Sequence, residues 1–589
     1  MCASSGRRPE DSAALVQLLN AAQQHRGPDG SAAVMVGSSC LGNTRLAIIT
    51  PGHDGDQPLV APDGSCTVVF NGEVYNYREL VRDHGLQSGG SDGAVIPQLW
   101  SRYGTAAFRL LRGMYALVLA DHRTGRLVVA RDQLGIKPLH WRVDDRGLLI
   151  SSEVRPLLRP GDAVSREGLA RFLHLGSLPA ASSPFEGVSA VPPNAWLAFE
   201  GTSLVDQGLV EPALEVARGS GVGVADALRE SVALHVRSDV PAALLLSSGI
   251  DSSALAWAGR EAGQTLHCLT VDLGGGREEA AEAAGTAARF GHTHEMVRSV
   301  PDGEDVNAFF RAMQRPSIDG LNSFVVSRAV REAGFKVALS GLGGDEATGG
   351  YSHFAHLRRL KALARVDQLP GLSGAVALAV RAGRGRMPAK ARELLGRDGP
   401  RDAWELSLLQ RRVWEPTQVR RALGLPADAN LVQDVPAGRG RADAAGLTAA
   451  EYRTYLQSTL LPDADAFSMA FSVELRVPLV DAPFLASAVG AGGAAGLGKA
   501  GFAGALGDER LAALACAPKQ GFSLPMDDWM RTGILRDRVR AAAAPDAPVW
   551  QHLDREVGTA ALDAWTRRAA PWSHAWALVA LDSWLRSLP

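Results

Sequence analysis

The stretch Ala242-Ala243-Leu244-Leu245-Leu246-Ser247-Ser248-Gly249-Ile250-Asp251-Ser252-Ser253, followed by Ala254-Leu255-Ala256-Trp257-Ala258, leaves this chain few folds to choose from. An apolar run too short for a helix stops at small hydroxyl and glycine residues, and an Ala-rich helical pattern takes over. The order reads as strand, tight loop, helix N-terminus. The first N–H groups of a helix lack intrahelical partners and carry the positive end of its dipole, and small side chains at Ser247, Ser248 and Gly249 let an anion approach the main chain. Asp251 sets a carboxylate beside that anion, which makes sense if Mg²⁺ bridges the two. The plainer alternative is a Ser-capped helix after a buried strand. Lys336-Val337-Ala338-Leu339-Ser340-Gly341-Leu342-Gly343-Gly344-Asp345-Glu346 repeats the logic of buried strand, Gly-rich turn and carboxylates. Apolar runs alternating with helical patterns predict a doubly wound α/β sheet, with ligands at the carboxyl ends of the strands. Asp251 and Asp345 are then expected to face one ion.

A length of 589 residues suggests about two to four domains, each with its own core. Lys+Arg 61 against Asp+Glu 63 leaves a net charge of −2, and no basic run or aromatic-basic interleaving argues for a nucleic-acid surface. A small-molecule site is the better default. No apolar run approaches the roughly 20 residues of a membrane span, so no membrane partner is expected. Met1-Cys2-Ala3-Ser4 lacks a charged-then-apolar signal layout, which places the chain in the cytoplasm. The five cysteines show no metal-ligand or disulfide spacing.

Cys2 stands apart from the other thiols. Removal of Met1 would put a thiol and a free α-amine on one residue, a nucleophile together with its base. His25-Arg26-Gly27-Pro28-Asp29-Gly30 reads as a turn, and Leu41 to Ile49 as a strand carrying one arginine, Arg45. Val68 to Tyr77 reads as strand, turn, strand, with Asn71-Gly72 at the hairpin. Pro179 to Pro193 closes the first unit and a linker of low regularity runs from about Gly201 to Gly221, giving expected domains at 1–205 and 206–589. His292 and His294 read as a solvated loop rather than a metal site. Gly493-Ala494-Ala495-Gly496-Leu497-Gly498-Lys499-Ala500 almost spells a Walker loop, but Ala500 lacks the hydroxyl, so a flexible connection is expected.

The order Ser-x-Gly-x-Asp-Ser resembles the pyrophosphate loop of ATP-pyrophosphatases, and the remainder of the chain looks like the glutamine-dependent asparagine synthetase family over nearly its whole length. Arg-Gly-Pro-Asp at 26–29, Arg45, Asn71-Gly72-Glu73-Val74-Tyr75-Asn76 and Ser91-Asp92 follow the family's glutaminase domain. Ser340 to Glu346, Tyr455 to Ala470, Glu474 to Asp481 and Pro518-Lys519-Gln520-Gly521-Phe522 follow its synthetase domain. The resemblance implies an N-terminal Ntn-hydrolase-type αββα glutaminase domain and a C-terminal doubly wound α/β ATP-pyrophosphatase domain. It makes Cys2 the attacker of the glutamine amide, with Asn71 and the Gly72 N–H as the oxyanion hole. Arg45 would bind the glutamine α-carboxylate, and Glu73 and Asp92 its α-ammonium. Leu246, Ser247, Ser248, Gly249, Asp251, Ser252, Val271, Ser340 and Gly341 would bind ATP, Asp251 and Asp345 would hold Mg²⁺, and Lys519 would stabilise charge on the adenylate and departing pyrophosphate. Glu474 and Arg476 are expected to organise the site by charge pairing.

The implied partners are glutamine and a carboxylic-acid acceptor, with room for a homodimer. Three positions depart from the family pattern. Ala3 to Pro9 is polar and short where an apolar strand usually follows the cysteine, Leu342 replaces a glutamate common in asparagine-forming members, and Pro462 replaces a usual arginine. The implied activity is amidation of an adenylated acid with ammonia from glutamine. The alternatives are a ligase or cyclase that uses a substrate amine, as lasso-peptide cyclases and β-lactam synthetases do, and a non-catalytic regulatory homologue.

Overall fold

The computed structural model describes residues 1–6, 9–211, 222–274, 277–351, 354, 402–432, 444–517 and 524–589. Period-2 apolar patterning in the first 210 residues builds two six-stranded antiparallel sheets. One runs in the order Ser189–Ala190, His140–Asp144, Gly147–Ser151, Cys2–Ser5, Ser39–Arg45, Gly30–Val36. The other runs Ser203–Leu209, Ala195–Glu200, Arg126–Arg131, Gly113–Asp121, Cys66–Val74, Leu59–Val60. Ala3, Leu41, Val69, Val118, Ile150 and Phe199 fill the space between the sheets. Val68, Phe70 and Leu117, on the opposite face of the second sheet, pack against helix Val95–Tyr103. Helix Pro9–Ala22 covers the first sheet, which completes an αββα sandwich. The strand Ser203–Leu209 belongs to this sandwich, so the expected boundary at residue 205 falls inside a strand.

Asn71-Gly72 is not a hairpin turn. Both residues lie within the continuous strand Cys66–Val74, paired with Gly113–Asp121 along its length. Gly72 takes φ +134°, and a Cβ there would lie 1.9 Å from the Met114 carbonyl oxygen. The glycine serves close backbone approach inside a sheet, a role that the Asn-Gly pair does not separate from a turn.

The second half is built on a five-stranded parallel sheet in the order Thr293–Arg298, His267–Asp272, Ala242–Leu245, Val337–Leu339, Glu474–Arg476. The order reverses direction between Ala242–Leu245 and Val337–Leu339, and a doubly wound sheet opens its ligand crevice at such a point. His294 sits on the edge strand rather than in a loop, and the buried His292 ring bonds the Ala256 carbonyl at 2.7 Å through Nε2. Helices Pro416–Leu423, Arg555–Thr566 and Trp572–Arg586 share a core with helix Arg166–Leu175 of the sandwich, with Trp414, Trp576 and Trp584 fully buried in it, while Ala403–Arg411 packs on Ala444–Glu451. No helix among the described residues is long and apolar enough to cross a membrane.

Ion pairs cross between the two halves, two of them buried and that of Arg112 half-buried. Arg26 reaches Asp465 at 2.8 Å, Arg112 reaches Asp481 at 2.6 Å, and Arg476 reaches Glu73 at 2.7 Å. Removing one partner of such a pair leaves an uncompensated buried charge.

Candidate active site

Ala242–Leu245 ends at Leu246, and helix Ile250–Glu261 begins four residues later with Gly249 as its N-cap. The intervening loop is tied by its own hydroxyls. The Ser247 N–H donates to Ser252 Oγ (3.1 Å) and the Gly249 N–H to Ser247 Oγ (3.2 Å). Asp251 lies in the first turn of this helix. The neighbouring strand Val337–Leu339 ends at Ser340, and Gly343, at φ +89°, caps helix Gly344–Thr348, whose first turn carries Asp345 and Glu346. A Cβ on Gly341 would stand 3.0 Å from the Ser252 nitrogen, and one on Gly344 would stand 2.4 Å from Asp251 Cγ. These two glycines bring the loops together.

Together the loops floor a cavity of about 1110 Å³ at the carboxyl ends of the parallel strands. Leu246, Ser247, Ser248, Gly249, Asp251, Ser252, Val271, Ser340, Gly341 and Asp345, all singled out from the sequence, line it. Asp251 and Asp345 reach one point, because a single ammonium, Lys499 Nζ, lies 2.5 and 2.7 Å from the two Asp251 oxygens and 2.8 Å from Asp345 Oδ1. Burial alone would lower the Lys499 pKa, but the two carboxylates outweigh it and hold the ammonium above its ordinary value. Two hard oxygen donors on one point suit Mg²⁺, which takes one or two protein carboxylates and completes its octahedron with phosphates and water. No group of three or more His, Cys, Asp or Glu converges among the described residues, so the site does not suit an ion that needs an all-protein cage.

Lys499 is the residue that sequence reasoning missed. The Gly-rich run before it is no loose connection; it enters helix Gly493–Leu506, broken at Gly498 (φ +62°, ψ +169°). Judged against a Walker template the lysine lacked its following hydroxyl, and that template concealed its charge. Glu346, on the wall of the same cavity, accepts from Tyr351 Oη at 2.6 Å, and burial pushes its carboxyl up to about 7. Lys519 lies outside the described residues.

A second pocket, of about 70 Å³, opens in the N-terminal sandwich, and Arg45, Asn71, Gly72, Glu73 and Asp92 all line it. Asn71 Nδ2 is buried with no hydrogen-bond partner among the described residues. Burial pushes the Asp92 carboxyl up to about 7, although it accepts the Val74 N–H at 2.7 Å. Glu73 is paired across the domain boundary with Arg476, which also binds Glu474 at 2.8 Å. These carboxylates keep the fully buried guanidinium above its ordinary pKa. The Arg45 guanidinium binds the Gly52 carbonyl and Asp56 Oδ1, each at 2.8 Å, and the Thr50 carbonyl at 2.5 Å, so it ties the 49–56 loop to the pocket wall.

Cys2 is placed away from this pocket. Its thiol lies 3.1 Å from Asn20 Oδ1 and 3.6 Å from the Val16 carbonyl, on the helix-covered face of strand Cys2–Ser5. Burial pushes it up to about 12. Met1, not Cys2, lines the pocket beside Asn71 and Gly72. The cause is strand alternation: with Ala3 between the sheets and Cys2 opposite Gly42, odd residues face the pocket side and even residues face the helix.

Fold and site together define a two-part protein, an amidotransferase-type sandwich joined to a doubly wound sheet with a phosphate-type loop at its switch point. Residues 1–207 match the glutamine amidotransferase domain and residues 223–586 match asparagine synthase; the chain belongs to the asparagine synthase family. It is 31% identical to Amidase chry2 of Gibberella zeae over 366 residues, 56% of this chain and 54% of that protein. It is 31% identical to asparagine synthetase [glutamine-hydrolyzing] 1 of Arabidopsis thaliana over 382 residues, 59% of this chain and 60% of that protein. Amidase chyE of Penicillium rubens is also 31% identical, over 56% of this chain and 54% of its own length. The matched region thus spans between half and two thirds of these relatives.

Proposed function

We propose that this protein is an ATP-dependent carbon–nitrogen ligase that adenylates a carboxylic acid and converts it to an amide with nitrogen from glutamine. One observation carries the reading: Asp251 and Asp345, each in the first turn of a helix after adjacent parallel strands, share a point on the floor of the 1110 Å³ cavity. The backbone N–H groups of Ser248 and Ile250, which the loop's own hydroxyls do not take up, would donate to phosphate oxygens. Mg²⁺ held by Asp251 and Asp345 would supply charge neutralisation on the β- and γ-phosphates.

The acid's carboxylate oxygen bonds to the α-phosphorus as the bond to the bridging oxygen breaks, and pyrophosphate leaves. Nitrogen then attacks the acyl carbon, AMP departs, and the surplus proton goes to a base. Glu346, on the wall of the same cavity, is the carboxylate placed to take it. Lys519 is assigned the developing phosphate charge on the family resemblance alone.

In the N-terminal pocket Asn71 Nδ2 and the Gly72 N–H would stabilise the tetrahedral oxyanion of glutamine hydrolysis, with Glu73 and Asp92 holding the α-ammonium. This half requires the Cys2 thiol where Met1 now lies, and loss of Met1 with a one-residue advance of the first strand would exchange the faces. The thiol's present position favours a second reading, a ligase that takes its nitrogen from a substrate amine, in keeping with an acceptor that departs from aspartate at Leu342.

The deciding measurement is ATP–pyrophosphate exchange over a panel of acids with aspartate included, followed by amide formation with amide-¹⁵N glutamine. Exchange with label in the product supports the glutamine reading, and exchange with an unlabelled product supports the amine reading. No exchange and no ATP binding with any acid overturns both.

A further inference from the structure

The proposed chemistry uses Asp251 and Asp345 and leaves Lys499 without a task, yet Lys499 is the third charged group on their oxygens. All three side chains lie on the wall of one cavity and are only partly exposed. A divalent ion would hold those oxygens at about 2.1 Å, and the ammonium already contacts three of them at 2.5 to 2.8 Å. Ion and ammonium draw on the same lone pairs, so they exclude each other. Two features of the chain equip the lysine to leave. Gly498, immediately before it, takes φ +62° inside an otherwise helical run, and a Cβ there would meet nothing within 4 Å. The glycine is therefore required by its dihedral rather than by crowding. Gly350, opposite, leaves room for the pair, since a Cβ would fall 1.7 Å from Asp345 Oδ1 and 2.5 Å from Lys499 Cε.

We propose that Lys499 is a built-in counter-cation of the Asp251–Asp345 pair, a positioning residue that keeps both carboxylates aimed at one point, yields it to a divalent ion, and then turns about Gly498 toward the nucleotide's phosphates. The last step rests on the nucleotide reading above; the competition for the carboxylates does not. It follows that free divalent ion binds this chain weakly, and that the site favours ion and triphosphate arriving together, because only the triphosphate offers the displaced ammonium a new partner.

The test uses the full-length protein and MgCl₂ alone at constant ionic strength, read as a thermal-shift titration without nucleotide. Lys499→Met should bring the Mg²⁺ midpoint down by about tenfold or more against wild type. Lys499→Arg, which keeps the charge, should restore the wild-type midpoint. Adding Asp251→Asn to Lys499→Met should abolish the gain. Equal midpoints for wild type and Lys499→Met overturn the proposal, as does a gain that survives Asp251→Asn. Should Lys499→Met not fold, Lys499→Gln gives the same comparison with the charge removed. A second readout is ATP affinity without Mg²⁺, which should be unchanged in Lys499→Arg and weaker in Lys499→Met. Failure of the nucleotide reading looks different: no ATP binding by wild type, with the Mg²⁺ midpoints still apart.

Discussion

The two pockets are made from the same parts and differ in how their carboxylates are held. In the N-terminal pocket, Glu73 is gripped by Arg476, a guanidinium from the other half of the chain with no exposed surface, set in a strand and bonded also to the His235 and Arg237 carbonyls. In the second cavity, Asp251 and Asp345 are held by Lys499, a partly exposed ammonium on the helical segment that follows a glycine with positive φ. Arginine keeps its charge under all conditions and offers a rigid fork, while lysine is a point charge on a flexible stem. The first arrangement fixes a small pocket of about 70 Å³, and the second leaves a large cavity of about 1110 Å³ able to exchange one cation for another. One site is built as a mould and the other as a socket. Arg476 also ties the two, because its own carbonyl accepts the Ser340 N–H at 2.8 Å, where the nucleotide loop begins.

The largest expected effect is on the socket. Asp251→Asn and Asp345→Asn should each lower AMP formation on the order of 10³-fold, the equivalent of about 4 kcal/mol of lost charge stabilisation. ATP–pyrophosphate exchange measures this directly, and a loss under tenfold for either would mean the two carboxylates do not act on one nucleotide. The mould should fail by unfolding instead. Arg476→Met leaves Glu73 and Glu474 buried with one cation removed and should cost about 3–5 kcal/mol in chemical denaturation. A cost below about 1 kcal/mol would erase the distinction between fixed and exchangeable cations.

Much of the socket was legible in the sequence because its function is carried by local order. Strand, small-residue turn and helix sit within some twenty consecutive residues, and the same pattern recurs at Val337 to Glu346. The mould was legible in its membership but not in its geometry. Asn71-Gly72 carries the signature of a hairpin, and only pairing with Gly113–Asp121 shows it inside a strand. Cys2 was assigned to the pocket, yet a strand's facing is set by its partners, and a register offset of one residue sends a side chain to the opposite face. Lys499 was hidden for a related reason: it lies about 250 positions from Asp251 in sequence, and its local near-Walker pattern does not point to those carboxylates. Arg476 and Glu73 likewise meet only through the packing of one half on the other.

Between these effects lies the test of the mould's chemistry. Asn71→Ala removes a donor that is buried without a partner among the described residues, so it should leave stability nearly unchanged. If glutamine is the nitrogen source, glutamate release should fall by about 10²–10³, the usual worth of one oxyanion donor, while exchange at the other site stays at the wild-type rate. If a substrate amine is the source, product formation should not change. Mass measurement of the N-terminus in the same preparation shows whether Met1 is retained, and retention together with glutamate release would break the link drawn here between Cys2 and the pocket.

The last effect concerns Asp463, which stands near the junction of the two halves and accepts from Ser317 Oγ at 2.6 Å. Burial pushes its carboxyl up to about 8, with Asp319 adding to the rise and the Ser317 hydrogen bond and Arg315 opposing it. An unfolded aspartate titrates near about 3.9, so between these two values the folded chain binds the extra proton. Stability must therefore fall as pH rises through that window. Asp463→Asn keeps an acceptor for Ser317 and removes the titration. Wild type should lose about 3–4 kcal/mol relative to Asp463→Asn between pH 5 and pH 8, about 3 °C in Tm. A difference that stays flat with pH would mean that Asp463 keeps its charge throughout.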